Sequence, residues 1–315
     1  MNESSAVLGA VIPVFGIMVV GLLIRKLNWL TEEADRSLLR VNINLLLPCL
    51  ILDSTLGNPA LAHLGTVVLA PVLGAFTVSA GMLLAYALRG LAGLREAPAA
   101  RTFAVATGIF NYGYVPIPLC LLLFGKETVG VLCLFMVGVE MSLWTLGVML
   151  MTGHRIGQNW RKIVNGPLLA ILLAFVLNGT GGQAHLPEAG RTLLHWLAQC
   201  AMPMALILIG AIVGDHIHEF HSAHGWRVIG VALLLRTGVL PLFFLALARW
   251  LPLSVELQHV LVVEAAMGSA VFPIAMSKHY GGDPPTALRV VIGTSVVGLV
   301  TIPLWIKFGL RFIGH

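Results

Sequence analysis

The sequence predicts an all-α polytopic membrane protein of ten spans, arranged as two inverted five-helix repeats. Three observations carry this expectation. Apolar residues fill 58% of the 315 positions and charged residues only 10%. A soluble domain carries roughly 25% charged residues, so the chain has too little polar surface for water. Gly113 and Pro118 recur 155 positions later as Gly268 and Pro273, and Pro48 recurs at the same offset as Pro203. Finally, thirteen of the nineteen Lys and Arg residues fall in loops after odd-numbered spans, five on the other side and Arg236 within a span.

About 20 largely apolar residues cross a bilayer. In the first half such windows fall at Leu8–Ile24, Val41–Leu56, Leu64–Leu88, Thr102–Phe124 and Val129–Met151. The second half gives Val164–Asn178, Leu193–Val213, Val228–Trp250, Gln258–His279 and Val290–Phe308. The second and sixth windows are short, and the repeat offset supports them. Glu3 and no basic residue precede the first window, so it reads as a span rather than a cleaved signal. Basic loops stay in the cytoplasm, which puts both termini outside a plasma (inner) membrane. An odd number of spans per repeat then sets 1–155 and 156–315 in opposite orientations, as one integrated membrane domain. The net charge of +5 is spread over many short loops and does not indicate nucleic acid.

The fourth and ninth windows are interrupted at Gly113-Tyr-Val-Pro116-Ile-Pro118 and Gly268-Ser-Ala-Val-Phe-Pro273. Proline removes a backbone donor and glycine lets the chain leave the helix. Unpaired backbone at membrane depth is tolerated only inside protein or beside a watery cavity. Proline also suits the first turn of a new helix, so Pro116/Pro118 and Pro273 are expected to open half-helices whose positive ends face the midplane. Such ends attract anions, and a small carboxylate is the natural guest. Matched Gly/Pro interruptions in two halves are the signature of an inverted-repeat secondary transporter. Pro13, Pro71, Pro241 and Pro303 read as simple kinks.

The run Phe110-Asn-Tyr-Gly-Tyr-Val-Pro-Ile-Pro-Leu-Cys, followed by Phe124-Gly-Lys, resembles the fourth span of the auxin efflux carrier family, which includes the plant PIN carriers and many bacterial transporters. Ala265-Ala-Met-Gly-Ser-Ala-Val-Phe-Pro-Ile-Ala-Met-Ser-Lys-His-Tyr-Gly-Gly-Asp resembles its ninth span, and Asn44-Leu-Leu-Leu-Pro48 and Ala201-Met-Pro203-Met-Ala its second and seventh. The resemblance covers nearly the whole chain. It implies a fold like that of bile-acid symporters and NhaA-type antiporters. The fourth and ninth spans would cross as broken helices, between a scaffold bundle (spans 1, 2, 6 and 7) and a transport bundle moving as an elevator. It also implies that Asn111 binds the substrate carboxylate, that Pro118 and Pro273 are the crossing prolines, and that a homodimer is open to the chain. Pro116 stands where the family usually has glycine, Gly268 where it often has proline, and Phe272 where many bacterial members have asparagine. Substrate identity is therefore not carried over.

The candidate substrate-binding set is Asn111, Tyr112, Gly113, Pro118, Gly268, Ser269, Pro273 and Asn44, with Tyr114 a weaker member. By chemistry alone the Asn111 amide can donate to a carboxylate, or it can satisfy the broken helix's own carbonyls. Asn44 either faces the cavity from the scaffold or bonds a neighbouring helix. Arg236 is costly at the midplane, which suggests a counter-charge to a substrate anion or a partner for a membrane acid. Glu140 and Glu264 are the two such acids, each a carrier of a coupling proton or a static partner of Arg236. Asp53 reads as a solvated residue at the outer mouth. The four histidines in the run from Asp215 to His224 do not fix a metal geometry and read as a cytoplasmic turn, and Asn178-Gly-Thr180 is discounted as a glycosylation site because it abuts a span. Cys49, Cys120, Cys133 and Cys200 read as packing residues, and Gly130, Gly138 and Gly147 as close-contact positions within one chain or between two.

The expected function is a secondary carrier of small organic anions, either dicarboxylates or an auxin-like aromatic acid, with the lean toward dicarboxylates resting on fold analogy. No cofactor or metal is implied, and proton or sodium coupling stays open. The expected partners are the carboxylate substrate and membrane lipids. An intramembrane enzyme would need a nucleophile with a base or a paired-carboxylate site, which the sequence does not display. A ligand sensor would be expected to carry a signalling domain.

Overall fold

The computed structural model describes residues 3–153, 165–216 and 225–314, and every regular element among them is helical. Arg155, Arg161 and Lys162, and residues 217–224 of the histidine-rich run, lie outside the described residues. Helix α1 (Glu3–Lys26) opens the chain, and α2 (Glu32–Val41) continues through a π turn at Asn42–Leu46 into α3 (Leu47–Thr55). Helix α4 spans Leu64–Ala87, while α5 (Ala97–Gly108) and α6 (Pro116–Phe124) are separated by irregular chain. Helix α7 (Lys126–Ser142) passes through a π turn at Leu143–Gly147 into α8 (Val148–Thr152). The short apolar α9 (Gly166–Gly179) and the long α10 (Glu188–His216) follow. Helix α11 (Trp226–Leu233) runs through a third π turn at Leu234–Val239 into α12 (Leu240–Trp250). Helices α13 (Val255–Ala266) and α14 (Phe272–His279) form a second broken pair, and α15 (Pro284–Ile313) closes the fold. Seven of the described helical stretches are long and apolar enough to cross a membrane. Ile12, Phe76, Val176, Leu242 and Val300 stand exposed on outward faces, where lipid rather than water is the compatible solvent.

Local chemistry explains the ends. Thr31 caps α2 by accepting from the Ala34 N–H, and Glu32, Glu33 and Asp35 fill its first turn with Arg40 in its last, the charge order that a helix dipole favours. Asn165 caps α9 at 3.0 Å and Asp283 caps α15 at 3.0 Å, each followed by proline in the first turn. Pro241 follows the third π turn and has no N–H for the Thr237 carbonyl, which instead accepts from the Trp305 indole at 2.9 Å. Pro13, Pro71 and Pro303 lie inside continuous helices.

The helices pack as two sets. In the first, α10 lies along α1 and α3, and α9 lies against α3. In the second, α4 packs on α5 and α7, α13 on α12 and α15, and α15 on α5 and α11. Each set is centred on a reciprocal glycine crossing. A Cβ on Gly21 would overlap the Ile207 carbonyl and one on Gly210 the Met18 carbonyl; likewise Gly74 meets Phe135 and Gly138 meets Pro71. Without a hydrophobic force between helices in lipid, such close backbone approach supplies the packing contacts. Gly130 abuts the Asn58 side chain and the Ser54 carbonyl, so Gly130 and Gly138 are spent within the chain. The sets touch along a seam where α3 meets α7 and where α1 meets α6 and α15.

Candidate functional site

The two interruptions meet. Helix α5 ends where Ile109 turns extended, and Gly108 sits so close to Met82 of α4 that any side chain there would overlap its backbone. Helix α13 ends where Met267 turns extended. The released strands run antiparallel with Phe110 opposite Ser269. The Asn111 N–H donates to the Gly268 carbonyl at 2.9 Å, and the Ala270 N–H to the Ile109 carbonyl at 3.0 Å. These two bonds satisfy backbone groups that breaking the helices exposes, at a depth where Phe110 and Ser269 are buried. The crossing also needs Gly268, since a Cβ there would stand 3.0 Å from the Thr294 carbonyl of α15.

The two half-helices begin differently. The donors left over at the start of a helix are those of the N-cap and the first three residues. In α6 these are Val115, Pro116, Ile117 and Pro118. The Val115 N–H donates to Asn111 Oδ1 at 3.5 Å, the Ile117 N–H to the Gly113 carbonyl at 2.9 Å, and the prolines have none to give. No main-chain donor of that set remains free. In α14 the Ile274 N–H is taken by the Val271 carbonyl and Pro273 has none, which leaves Val271 and Phe272 N–H without a partner among the described residues. The sequence suggests free N–H groups at both starts; the second proline of the first motif and the Asn111 cap remove them from one. Asn111 Oδ1 thus serves an N–H rather than the helix carbonyls, and its Nδ2 makes no hydrogen bond among the described residues.

Three charged side chains lie around the crossing. Arg236, in the third π turn and 1% exposed, donates from Nε to the Met267 carbonyl at 2.7 Å and from Nη2 to the Glu264 carbonyl at 2.9 Å. It plugs the negative end of α13, a favourable place for a cation. Its guanidinium carbon lies 4.7 Å from the centre of the Phe110 ring and 5.5 Å from that of Phe244. Nη1 is buried without a hydrogen bond, and so are both carboxyl oxygens of Glu264. Glu140 is held otherwise: Tyr112 donates its hydroxyl to one oxygen at 2.6 Å, and the Trp144 indole donates to the other at 2.7 Å. The Trp144 ring meets Phe272 edge-on, so α7 and its π turn reach both breaks. Ser269 donates its N–H to Thr294 Oγ1 at 3.0 Å and keeps a buried, unpartnered hydroxyl.

The structure therefore brings Asn111, Tyr112, Gly113, Gly268 and Ser269 to one place, with Pro118 and Pro273 in the first turns of the half-helices. Asn44 stands apart. It is exposed in the first π turn and donates to the Arg40 carbonyl of its own helix at 2.8 Å. Asp53 is ion-paired to Lys126 at 2.7 Å and lies 3.2 Å from His195 Nδ1. Asn178 bridges Thr55 and Gly57, tying α9 to the end of α3. Sequence reasoning missed Thr294, Trp144 and the Phe110 platform under Arg236. A lone threonine or aromatic in an apolar helix carries no local signal, although Phe110 adjoins the first motif.

Comparison with known proteins identifies the family. An uncharacterized transporter from Methanothermobacter thermautotrophicus (strain Delta H) is 27% identical over 301 residues, covering 94% of this chain and 96% of the relative. The family model described as membrane transport protein matches residues 6–306. With that match over nearly the whole chain, and several apolar helices able to cross a bilayer, the protein is a multi-pass member of the membrane transport protein family, the auxin efflux carriers.

Proposed function

We propose that this transporter is a secondary carrier of small organic anions and holds the substrate carboxylate at the paired breaks. The observation that carries the reading is the antiparallel bridge between residues 109–111 and 268–270, with uncommitted donors around it. The donors assigned to the carboxylate are Asn111 Nδ2 and the Val271 and Phe272 N–H groups at the start of α14. Anions favour such a terminus through the dipole and free N–H groups together.

In this reading the seven long stretches, the short α9 and the two broken pairs make ten crossings, and the 155-residue offset relates the halves as inverted repeats. The set containing α1, α2–α3, α9 and α10 is the scaffold. The set that holds both broken pairs is the moving part, and its displacement along the seam alternates access. The basic loops put the termini outside the plasma (inner) membrane. The substrate class is a small dicarboxylate or an aromatic monocarboxylate, with H+ or Na+ as the coupling ion if movement is coupled.

The test is a thermal-shift titration of purified protein with acetate, malonate, succinate and benzoate, in sodium and potassium buffers across pH. Stabilisation by one anion in wild type and a clear weakening of it in Asn111→Ala is the expected outcome. Stabilisation by neutral solutes or cations instead, or an unchanged response in the variant, sinks the site.

A further inference from the structure

We infer that Glu264 is the residue that takes up and releases a proton as the carrier cycles, with Arg236 as its positioning partner. The inference rests on the carrier reading above and goes beyond it by distinguishing the two membrane glutamates.

The distinction comes from hydrogen-bond accounting. Native proteins leave few buried polar atoms unpartnered, and each exception calls for a reason. At this crossing the exceptions gather: both carboxyl oxygens of Glu264, Nη1 of Arg236, the hydroxyl of Ser269 and the hydroxyl of Thr107. All four residues lie on segments that meet at, or cap, the paired breaks. Glu264 is 0% exposed. A buried unpaired carboxylate is expensive, yet the nearby guanidinium spends two N–H groups on main-chain carbonyls and makes no salt bridge with it. Glu140, in contrast, has both oxygens engaged by Tyr112 and Trp144. Moving a proton on or off Glu140 would disturb two short hydrogen bonds, whereas on Glu264 it disturbs none.

Arg236 in the third π turn donates to the Glu264 main-chain carbonyl, and α6 and α7, which carry Cys120 and Glu140, pack on α13. From α15, Thr294 adds a hydroxyl to the break after α13. The step itself is simple. A proton from water adds to one carboxylate oxygen to give the neutral acid, and leaves to water on the other side of the membrane. Arg236 supplies the counter-charge while the carboxylate is bare. Because Arg236 also holds the Glu264 and Met267 carbonyls, the proton's arrival is mechanically linked to the end of α13 and hence to the paired breaks.

The experiment is infrared difference spectroscopy between acidic and alkaline buffer on the purified full chain, comparing wild type with Glu264→Gln and Glu140→Gln. A protonated-carboxyl C=O band that titrates in wild type, persists in E140Q and is lost in E264Q is the expected result. Persistence of the band in E264Q, or its absence from wild type, overturns the inference. Should E264Q fail to fold, Glu264→Asp replaces it, and a band of unchanged frequency counts against the assignment. A second arm measures uptake of acetate, malonate, succinate and benzoate in vesicles. E264Q is expected to lose accumulation driven by a pH gradient; accumulation retained in E264Q contradicts the inference. If wild type moves none of the four anions tested above, the carrier reading fails while the infrared arm still decides the proton site.

Discussion

Asn111 is committed through its main-chain N–H to Gly268 and through Oδ1 to Val115, so only Nδ2 is left to recognise an anion. This separates two substitutions that look alike. Asn111→Ala removes the donor and the cap together. Asn111→Asp keeps an acceptor for the Val115 N–H and replaces the donor with a negatively charged oxygen. Carboxylate stabilisation in a thermal-shift assay should therefore fall further in N111D than in N111A, although N111D is the better-capped fold. A larger loss in N111A than in N111D would mean that Asn111 acts through its cap on the Val115 N–H rather than on the ligand. Arg236 makes a second residue-scale prediction. Hydrogen bonds from a charged donor contribute about 1.5–3 kcal/mol each, and two of them hold the end of α13. Arg236→Gln should lower the unfolding midpoint markedly, and Arg236→Lys should not restore it, because an ammonium cannot present the planar fork. From sequence, Arg236 reads as a counter-charge by depth alone. That its charge serves main-chain carbonyls 28 and 31 positions away is a tertiary fact with no local trace.

The helices show the same division between what a pattern carries and what packing decides. The breaks were legible because glycine and proline act locally on backbone geometry. Their length was not, since α5 already ends at Gly108, five residues before Gly113, where contact with Met82 rather than residue type sets the limit. Helix α2 begins at Glu32, well before the second hydropathy window, because its first turns are polar and none of its residues is buried. The three π turns left no mark that hydropathy could register. Glycine crossings yield the prediction at this scale. Ala at Gly138 or Gly210 must push a helix off a backbone carbonyl, an overpacking effect that typically costs about 1–3 kcal/mol. Gly9 faces open space, and a methyl added there would meet nothing within 4 Å. Unfolding midpoints should fall for Gly138→Ala and Gly210→Ala and should hold or rise for Gly9→Ala, where only helix propensity changes. A matching drop in Gly9→Ala would point to lipid contact instead of crossing geometry, since helix propensity alone favours Ala over Gly.

Across the molecule, the proposed motion of one helix set against the other would show itself at the seam between them. Lys126 on α7 reaches over it to Asp53 on α3, and His195 on α10 joins the same carboxylate. An exposed pair of this kind contributes only about 0–1 kcal/mol, weak enough to break in every cycle, which suits a contact specific to one position of the moving set. If that set slides, tying the seam must stop transport. Asp53→Cys and Lys126→Cys, placed in a background cleared of the four free cysteines, can be joined by a cleavable bis-maleimide linker. Uptake of whichever anion the thermal-shift panel identifies should be lost on cross-linking and return on cleavage. The control lies within the first set, where Asn178 is already bonded to the Thr55 carbonyl at 2.9 Å. Thr55→Cys with Asn178→Cys, cross-linked in the same way, should leave uptake intact because both residues ride on one body. Uptake that survives the seam cross-link would locate the alternating element inside the second set, at the half-helices themselves, and the elevator would give way to local gating around a fixed bridge.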